Sequence, residues 1–323
     1  MSFLPTADWP TLRQRADLLR RTRAFFDERG FVEVETPILS ADTVVDRHLD
    51  PLSTVLYDDP RVPERGRTMY LQTSPEFGMK RLLAAGMTSI YQITRAFRAG
   101  EVGPLHNPEF TMVEWYRVGD DYAAGRQLLA DLFECFFQCG VALQTTYGEV
   151  FQKHVGVDPH LADVEALRRC AELNGVQAPA SLGDDRDAWL ELLFTELVQP
   201  RLGTLPGVIV YDFPASQAAL AKVREGTPPV AERFELYFDG IELANGYHEL
   251  TDPRQLRARN QQQNAARVRD GKTALPEESR LLEAMDAGLP AGCGVALGFD
   301  RAVMISAGAK CIQDVMAFPV EQA

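Results

Sequence analysis

Leu12, Leu19 and Phe26 fall in register along residues 11–29, and Gly30 follows. That pattern predicts an amphipathic helix stopped by a glycine. Val32 and Val34 then alternate with Glu33 and Glu35 up to Thr36-Pro37, which predicts a short strand. Residues 47–68 are rich in Asp, Pro and Arg and read as a loop. Residues 69–73 read as a strand. Ser74 and Pro75 read as the cap and first position of a helix ended by Gly86, with Glu76 in its first turn. Further strands are predicted at 89–94 and 110–116. In the second, Phe110, Met112, Glu114 and Tyr116 share one face, while Thr111, Val113 and Trp115 share the other.

A helix is predicted at 123–139, and residues 150–205 read as a mainly helical insertion, acidic around Asp184–Asp187. After a strand at 207–213, Asp239-Gly240 separates apolar-rich runs at 232–238 and 241–247, a strong two-residue hairpin signal. A tight turn sets Phe238 against Ile241, Tyr237 against Glu242 and Glu235 against Ala244. Glu235 and Glu242 are then diagonal neighbours on one face, within reach of a shared cation. A polar helix at 253–270 follows. The chain ends with a strand at 294–299 and a helix at 300–307 capped by Asp300.

Composition narrows the class. The 323 residues are 46% hydrophobic and 24% charged, ordinary for a globular protein. The net charge of −13 disfavours general nucleic-acid binding, although residues 11–29 carry six Arg against three acids and residues 254–272 carry six Lys/Arg against one. Those two segments are candidate docking faces or solvated helix faces. No leader-like start and no apolar run near 20 residues occurs, so a cytoplasmic protein without membrane contact is expected. Five cysteines without a C-x-x-C pattern fit a reduced compartment. Cys135 and Cys139 read as buried thiols on one helix face.

Candidate chemistry concentrates in three places. GCGVALG at 292–298 lacks the G-x-G-x-x-G spacing of a dinucleotide loop and no Walker A sequence is present; what remains is Arg301 at a helix start, where an anion is favoured. Arg98-Ala-Gly-Glu101, His106-Asn107-Pro108-Glu109-Phe110 and Glu114-Trp115-Tyr116 crowd an arginine, acids, a His–Asn pair and aromatics around one strand-linking loop. The hairpin acids form the third.

These segments jointly resemble the class II aminoacyl-tRNA synthetase catalytic core, in its lysyl branch. FVEVETPIL resembles the first, dimer-forming motif, FR-x-x-E…HNPEFTMVEWY the second and GVALGFDRAVM the third. FELYFDGIELANGYHELTD resembles the lysyl branch's metal and amino-acid segment. The resemblance spans about residues 12–318. It implies an α+β fold with a mostly antiparallel sheet flanked by helices, in a single catalytic domain. The first motif begins near residue 30, so no N-terminal anticodon-binding domain is expected. Ala296 stands where lysyl synthetases usually have Gly, a change of one methyl that alters discrimination by roughly 1–3 kcal/mol. EWY in place of E-L-Y points the same way, toward a truncated paralogue.

The resemblance implies roles residue by residue. Arg98 would bind the ATP α-phosphate and the substrate carboxylate, and Arg301 the γ-phosphate, with Gly298 allowing close approach. Phe110 would stack on adenine with His106, Asn107, Gly100, Glu101, Glu242 and Leu243 around the nucleotide. Glu235 and Glu242 would hold Mg²⁺. Ser74, Pro75, Glu76, Glu114, Tyr116, Asn245, Glu249 and Ala296 would surround the amino acid, and carboxylates with a phenol suit a substrate carrying two ammonium groups. Glu101 stands one place later than the family's acid. Asn245 and Glu249 have opposite parity to Glu242, and reach one cavity only if the strand bulges or ends near Gly246. The implied activity is ATP-dependent adenylation of (R)-β-lysine and its transfer to a lysine of translation elongation factor P by a homodimer that does not use tRNA. A lysine-activating or tRNA-charging enzyme and a catalytically dead regulatory subunit stand as alternatives.

Overall fold

The computed structural model describes residues 3–62, 64–203 and 206–323. The chain divides into two compact units, one made of the residues up to Gly119 together with Leu250–Ala323, the other of Asp120–Glu249.

The first helix, α1 (Trp9–Asp27), begins where the Asp8 carboxylate accepts a hydrogen bond from the Thr11 amide at 2.9 Å. It is followed by β1 (Val32–Glu33), β2 (Leu39–Ser40), β3 (Ser53–Tyr57) and β4 (Gly66–Leu71). The last three form a small antiparallel sheet in the order β2-β4-β3. The loop expected at 47–68 therefore contains a strand and the start of another. Its Asp/Pro/Arg composition reflects the turn between them and the exposure of all five β3 residues. Next come α2 (Glu76–Ala84), β5 (Ser89–Phe97) and β6 (Glu109–Val118). β1 lies parallel to β5, and β5 antiparallel to β6.

Phe26 on α1 anchors this core. Its ring stacks on Tyr91 at 4.6 Å and meets Trp115 at 5.3 Å and Phe31 at 5.2 Å. Trp115 thus fills the core face that strand parity assigned to it. The Glu114–Tyr116 face is buried as well.

The second unit opens with α3 (Tyr122–Phe137), β7 (Leu143–Thr146), α4 (Tyr147–His154), α5 (Val164–Leu173) and α6 (Arg186–Leu193). It continues with β8 (Val208–Pro214), β9 (Val223–Arg224), β10 (Val230–Phe238) and β11 (Ile241–His248). β11, β10, β8 and β7 are neighbours in that order, antiparallel except for the β7–β8 pair. The helices of the acidic stretch share one core with β8 and β10: Tyr147 stacks on Phe194 at 4.9 Å and meets Phe213 at 4.8 Å. Gln138 ends α3 in a left-handed conformation. Cys139 therefore lies beyond the helix, and it and Cys135 are half-buried rather than buried.

The chain returns to the first unit with α7 (Pro253–Arg269), α8 (Arg280–Gly288), β12 (Gly292–Gly298) and α9 (Phe299–Ser306). β12 pairs antiparallel with β6. Both units are mixed but mostly antiparallel, with helices against the strands, so the expected fold class holds. Much of the positive charge of the two Arg-rich helices is held in ion pairs. Arg15 meets Asp300, Arg23 meets Glu33, Arg257 meets Glu278 and Asp286, and Arg267 and Lys272 meet Asp50.

Candidate active site

In the first unit, α2 and β6 bring a set of polar side chains together in a buried pocket. The helix starts one residue later than capping chemistry predicts, and Pro75 is its N-cap. Ser74 instead bridges two elements: its hydroxyl accepts from the Glu76 amide at 3.0 Å and donates to Glu114 Oε2 at 2.7 Å. Tyr116 donates to Glu114 Oε1 at 2.6 Å, as expected of residues two apart on one strand face. Glu76 holds Lys80, one turn along α2, at 2.5 Å. Lys80 is only 1% exposed. Ala296 on β12 pairs directly with Glu114 in register, so its methyl group borders this pocket.

Glu114 has an ordinary carboxyl on paper and an unusual one in place. Burial first, then the charge of Glu76, pushes it up to about 8, against the hydrogen bonds from Tyr116 and Ser74 and the charge of Lys80.

Lys80 was missed by sequence reasoning, because Glu and Lys four apart on a helix form the commonest solvent-exposed pair. The signal was its neighbourhood: Lys80 shares a face with Glu76, a predicted site residue, and Met79 and Leu83 flank it as core.

A second set in the same unit surrounds the loop after β5. Arg98 lies 5.1 Å from the Phe110 ring centre and 3.7 Å from Glu101. Its Nε is buried with no hydrogen-bond partner among the described residues. Gly100 takes a φ of +78°, a turn geometry that an L side chain resists. Arg301, in the first turn of α9, donates to His106 Nε2 at 2.7 Å and to the Leu105 carbonyl at 3.3 Å. Burial and the Arg301 charge lower the His106 pKa, so the imidazole is neutral and can accept. Asn107 donates to the Glu109 carbonyl at 2.6 Å and accepts from the Val320 amide at 3.1 Å, which braces the loop.

Asp300 does not cap α9; Gly298 occupies that position. The Asp300 carboxylate is buried, accepts the Thr111 amide at 2.7 Å and pairs with Arg15 at 2.5 Å. It ties the start of α9, and with it Arg301, to β6 and α1.

In the second unit the hairpin turn forms at Asp239 and Gly240, both with positive φ. The register begins as predicted, Phe238 with Ile241 and Tyr237 with Glu242, and then slips. Leu236 pairs with Ala244 and Glu235 with Asn245, not with Ala244. The extra residue is Leu243, which is buried in the bulge. The slip returns Asn245 to the face of Glu242. Arg233, Glu235, Tyr237, Glu242, Asn245 and Tyr247 then line one side. Arg233 and Tyr237 both donate to Glu235, and Asn245 donates to Tyr247 at 3.0 Å. Glu249 follows β11, buried, at a bridge to Ala221. Burial raises the Glu235 pKa, Arg233 opposes it and the Glu242 charge adds to it.

Among the described residues no cluster of three or more His, Cys, Asp or Glu could hold a metal alone. Two carboxylates on one face are the donors Mg²⁺ takes when substrate phosphates complete its shell. Glu235 and Glu242 fit that arrangement.

Arg98 lies over Phe110, Arg301 is held by His106, and Glu76, Glu114 and Tyr116 are buried in the same unit. The chain belongs to the tRNA synthetases class II (D, K and N) family, whose model matches residues 9–322. Its relatives include the elongation factor P–(R)-β-lysine ligase of Vibrio cholerae, 46% identical over 99% of this chain and 98% of that protein. The enzymes of the same name from Vibrio vulnificus, 47% identical over 98% and 97%, and from an Enterobacter species, 46% identical over 100% and 98%, are similar.

Proposed function

We propose that the protein activates (R)-β-lysine as its adenylate and transfers the acyl group to a lysine side chain of translation elongation factor P. The observation that carries this reading is the buried Glu76–Glu114 pair with Tyr116, an ammonium pocket bordered by Ala296, in the same unit as Arg98 and Arg301. The near-full-length relatives that carry that activity in their names support it.

In the first step a substrate carboxylate oxygen attacks the α-phosphorus of ATP, and pyrophosphate leaves. The protein's part is positioning and charge neutralisation. Arg98 receives the α-phosphate and the carboxylate, and Arg301, held by neutral His106, receives the γ-phosphate. Phe110 supports adenine and Gly100, Glu101, Asn107 and Gly298 shape its surroundings; Leu243 is assigned to the same nucleotide. Mg²⁺ held by Glu235 and Glu242 would neutralise phosphate charge. Glu76, Glu114 and Tyr116 take one ammonium, and Asn245 and Glu249 are assigned to the same amino acid. In the second step the acceptor amine attacks the adenylate carbonyl, AMP leaves, an amide forms and the amine gives up a proton.

The protein is proposed to act in the cytoplasm as a homodimer, without tRNA, and as one catalytic domain carrying the helical stretch 150–205. Among the described residues no helix is long and apolar enough to cross a membrane. Incubation with ATP, labelled (R)-β-lysine and elongation factor P should add one β-lysyl mass to the factor; no gain would refute the reading.

A further inference from the structure

The pocket of Glu76 and Glu114 already contains a cation. Lys80 is buried, its ammonium lies 2.5 Å from Glu76 Oε1 and 5.8 Å from the centre of the Tyr116 ring, and no role assigned above uses it. We propose that Lys80 is a fixed counter-cation, a specificity-determining residue that leaves the Glu76–Glu114 pair room for one substrate ammonium and no more. This rests on the functional reading of the pocket.

The argument is a charge count. Two carboxylates and one lysine permit one further positive charge at neutrality, and a buried excess of either sign is strongly disfavoured. The groups facing Glu114 are Glu76 and Lys80 from α2, Ser74 before it, Tyr116 on its own strand, and the neutral Gln92 and Ala296 paired with it from β5 and β12. With Lys80 matched to Glu76, the empty pocket keeps Glu114 protonated near neutral pH, in line with its raised pKa. An arriving ammonium replaces that proton: Glu114 ionises, the proton passes to solvent and net charge in the pocket is unchanged. Binding therefore competes with a proton, and affinity falls about tenfold for each pH unit below about 8.

Lys80→Met changes the count. Neutrality then requires both carboxyls to be protonated in the free protein; a first ammonium displaces one proton, as in the wild type, and the proton that remains leaves room for a second cation. Lys80→Arg keeps the count and should keep the wild-type behaviour.

The test is calorimetric titration of wild type, K80M and K80R with (R)-β-lysine and with L-lysine, in buffers of different ionisation enthalpy, from pH 6 to 8. The wild type and K80R should release close to one proton per ligand at pH 7 and lose affinity about tenfold per pH unit on acidification. K80M should release a proton likewise, but only in K80M should methylammonium chloride titrated into the ligand-saturated protein release a second one. No second release in K80M, or a second release in K80R, would overturn the role of Lys80 while leaving the function intact. Failure of the wild type to bind either amino acid would overturn both. Should K80M fail to fold, K80R decides alone, since a charge-counting role survives Lys80→Arg and a role in shape does not.

Discussion

At the residue scale the two arginines proposed to bind phosphate differ in how they are held. Arg98 has a buried Nε with no hydrogen-bond partner among the described residues, whereas Arg301 is already braced by His106 and the Leu105 carbonyl. A donor aimed at a charge that develops in the reaction contributes about 10²–10³ in rate. Arg98→Ala and Arg301→Ala are each expected to lower amino-acid-dependent pyrophosphate exchange by at least about a hundredfold. Arg301 depends in addition on His106 being neutral. Below the lowered His106 pKa the ring charges, ceases to accept and repels the guanidinium, so the KM for ATP should rise on the acid side. His106→Gln keeps an acceptor that does not titrate, and it should flatten that acid limb in a pH series of exchange rates.

The same scale separates legible residues from illegible ones. Glu114 and Tyr116 were readable because strand parity is local: two residues apart means one face. Lys80 was not, because the pair Glu76–Lys80 looks the same whether water or a core surrounds it. Asp300 misled for a related reason. An acid at a helix start has the signature of a cap, and only the arrival of Thr111 and Arg15 from distant segments makes it a buried clamp.

At the scale of elements that clamp joins α9, β6 and α1. Removing one partner of a buried ion pair costs about 3–5 kcal/mol, because the other charge stays behind unpaired. Asp300→Ala should therefore lower the urea midpoint clearly, and Asp300→Asn, which still accepts the Thr111 amide, should lower it less. By contrast Arg257 pairs at the surface with Glu278 and Asp286, and its reversal should change stability by about 1 kcal/mol or less in the same titration. The elements themselves were mostly readable. α1, α3, β5, β6 and the β10–β11 hairpin carry period, cap or turn signals, and the structure places them within a few residues of expectation. β3 was hidden because an exposed strand in a small sheet needs no alternation of apolar residues.

At the scale of the molecule the first unit leaves apolar side chains uncovered: Val32 at 51%, Ile38 at 40% and, on β3, Val55 at 41% and Leu56 at 39%. The proposed homodimer would bury them. Light scattering should give twice 35.9 kDa for the wild type, and Ile38→Asp with Leu56→Asp should shift it toward the single-chain mass. A wild-type mass of one chain would remove the dimer from the reading.

The bulge at Leu243 gives the hairpin an arithmetic that homologous design must respect. Residues before it and after it count faces in opposite phase, so Glu242 and Asn245, separated by an odd step, look the same way. Deleting Leu243 alone would remove the bulge and leave Asn245 opposite Glu235 by ordinary alternation. Deleting both Leu243 and Ala244 would bring Asn245 opposite Leu236 and invert every downstream side chain. Tolerance to length change here should alternate between odd and even, and the segment reads less like a scaffold than like a code with a fixed frame.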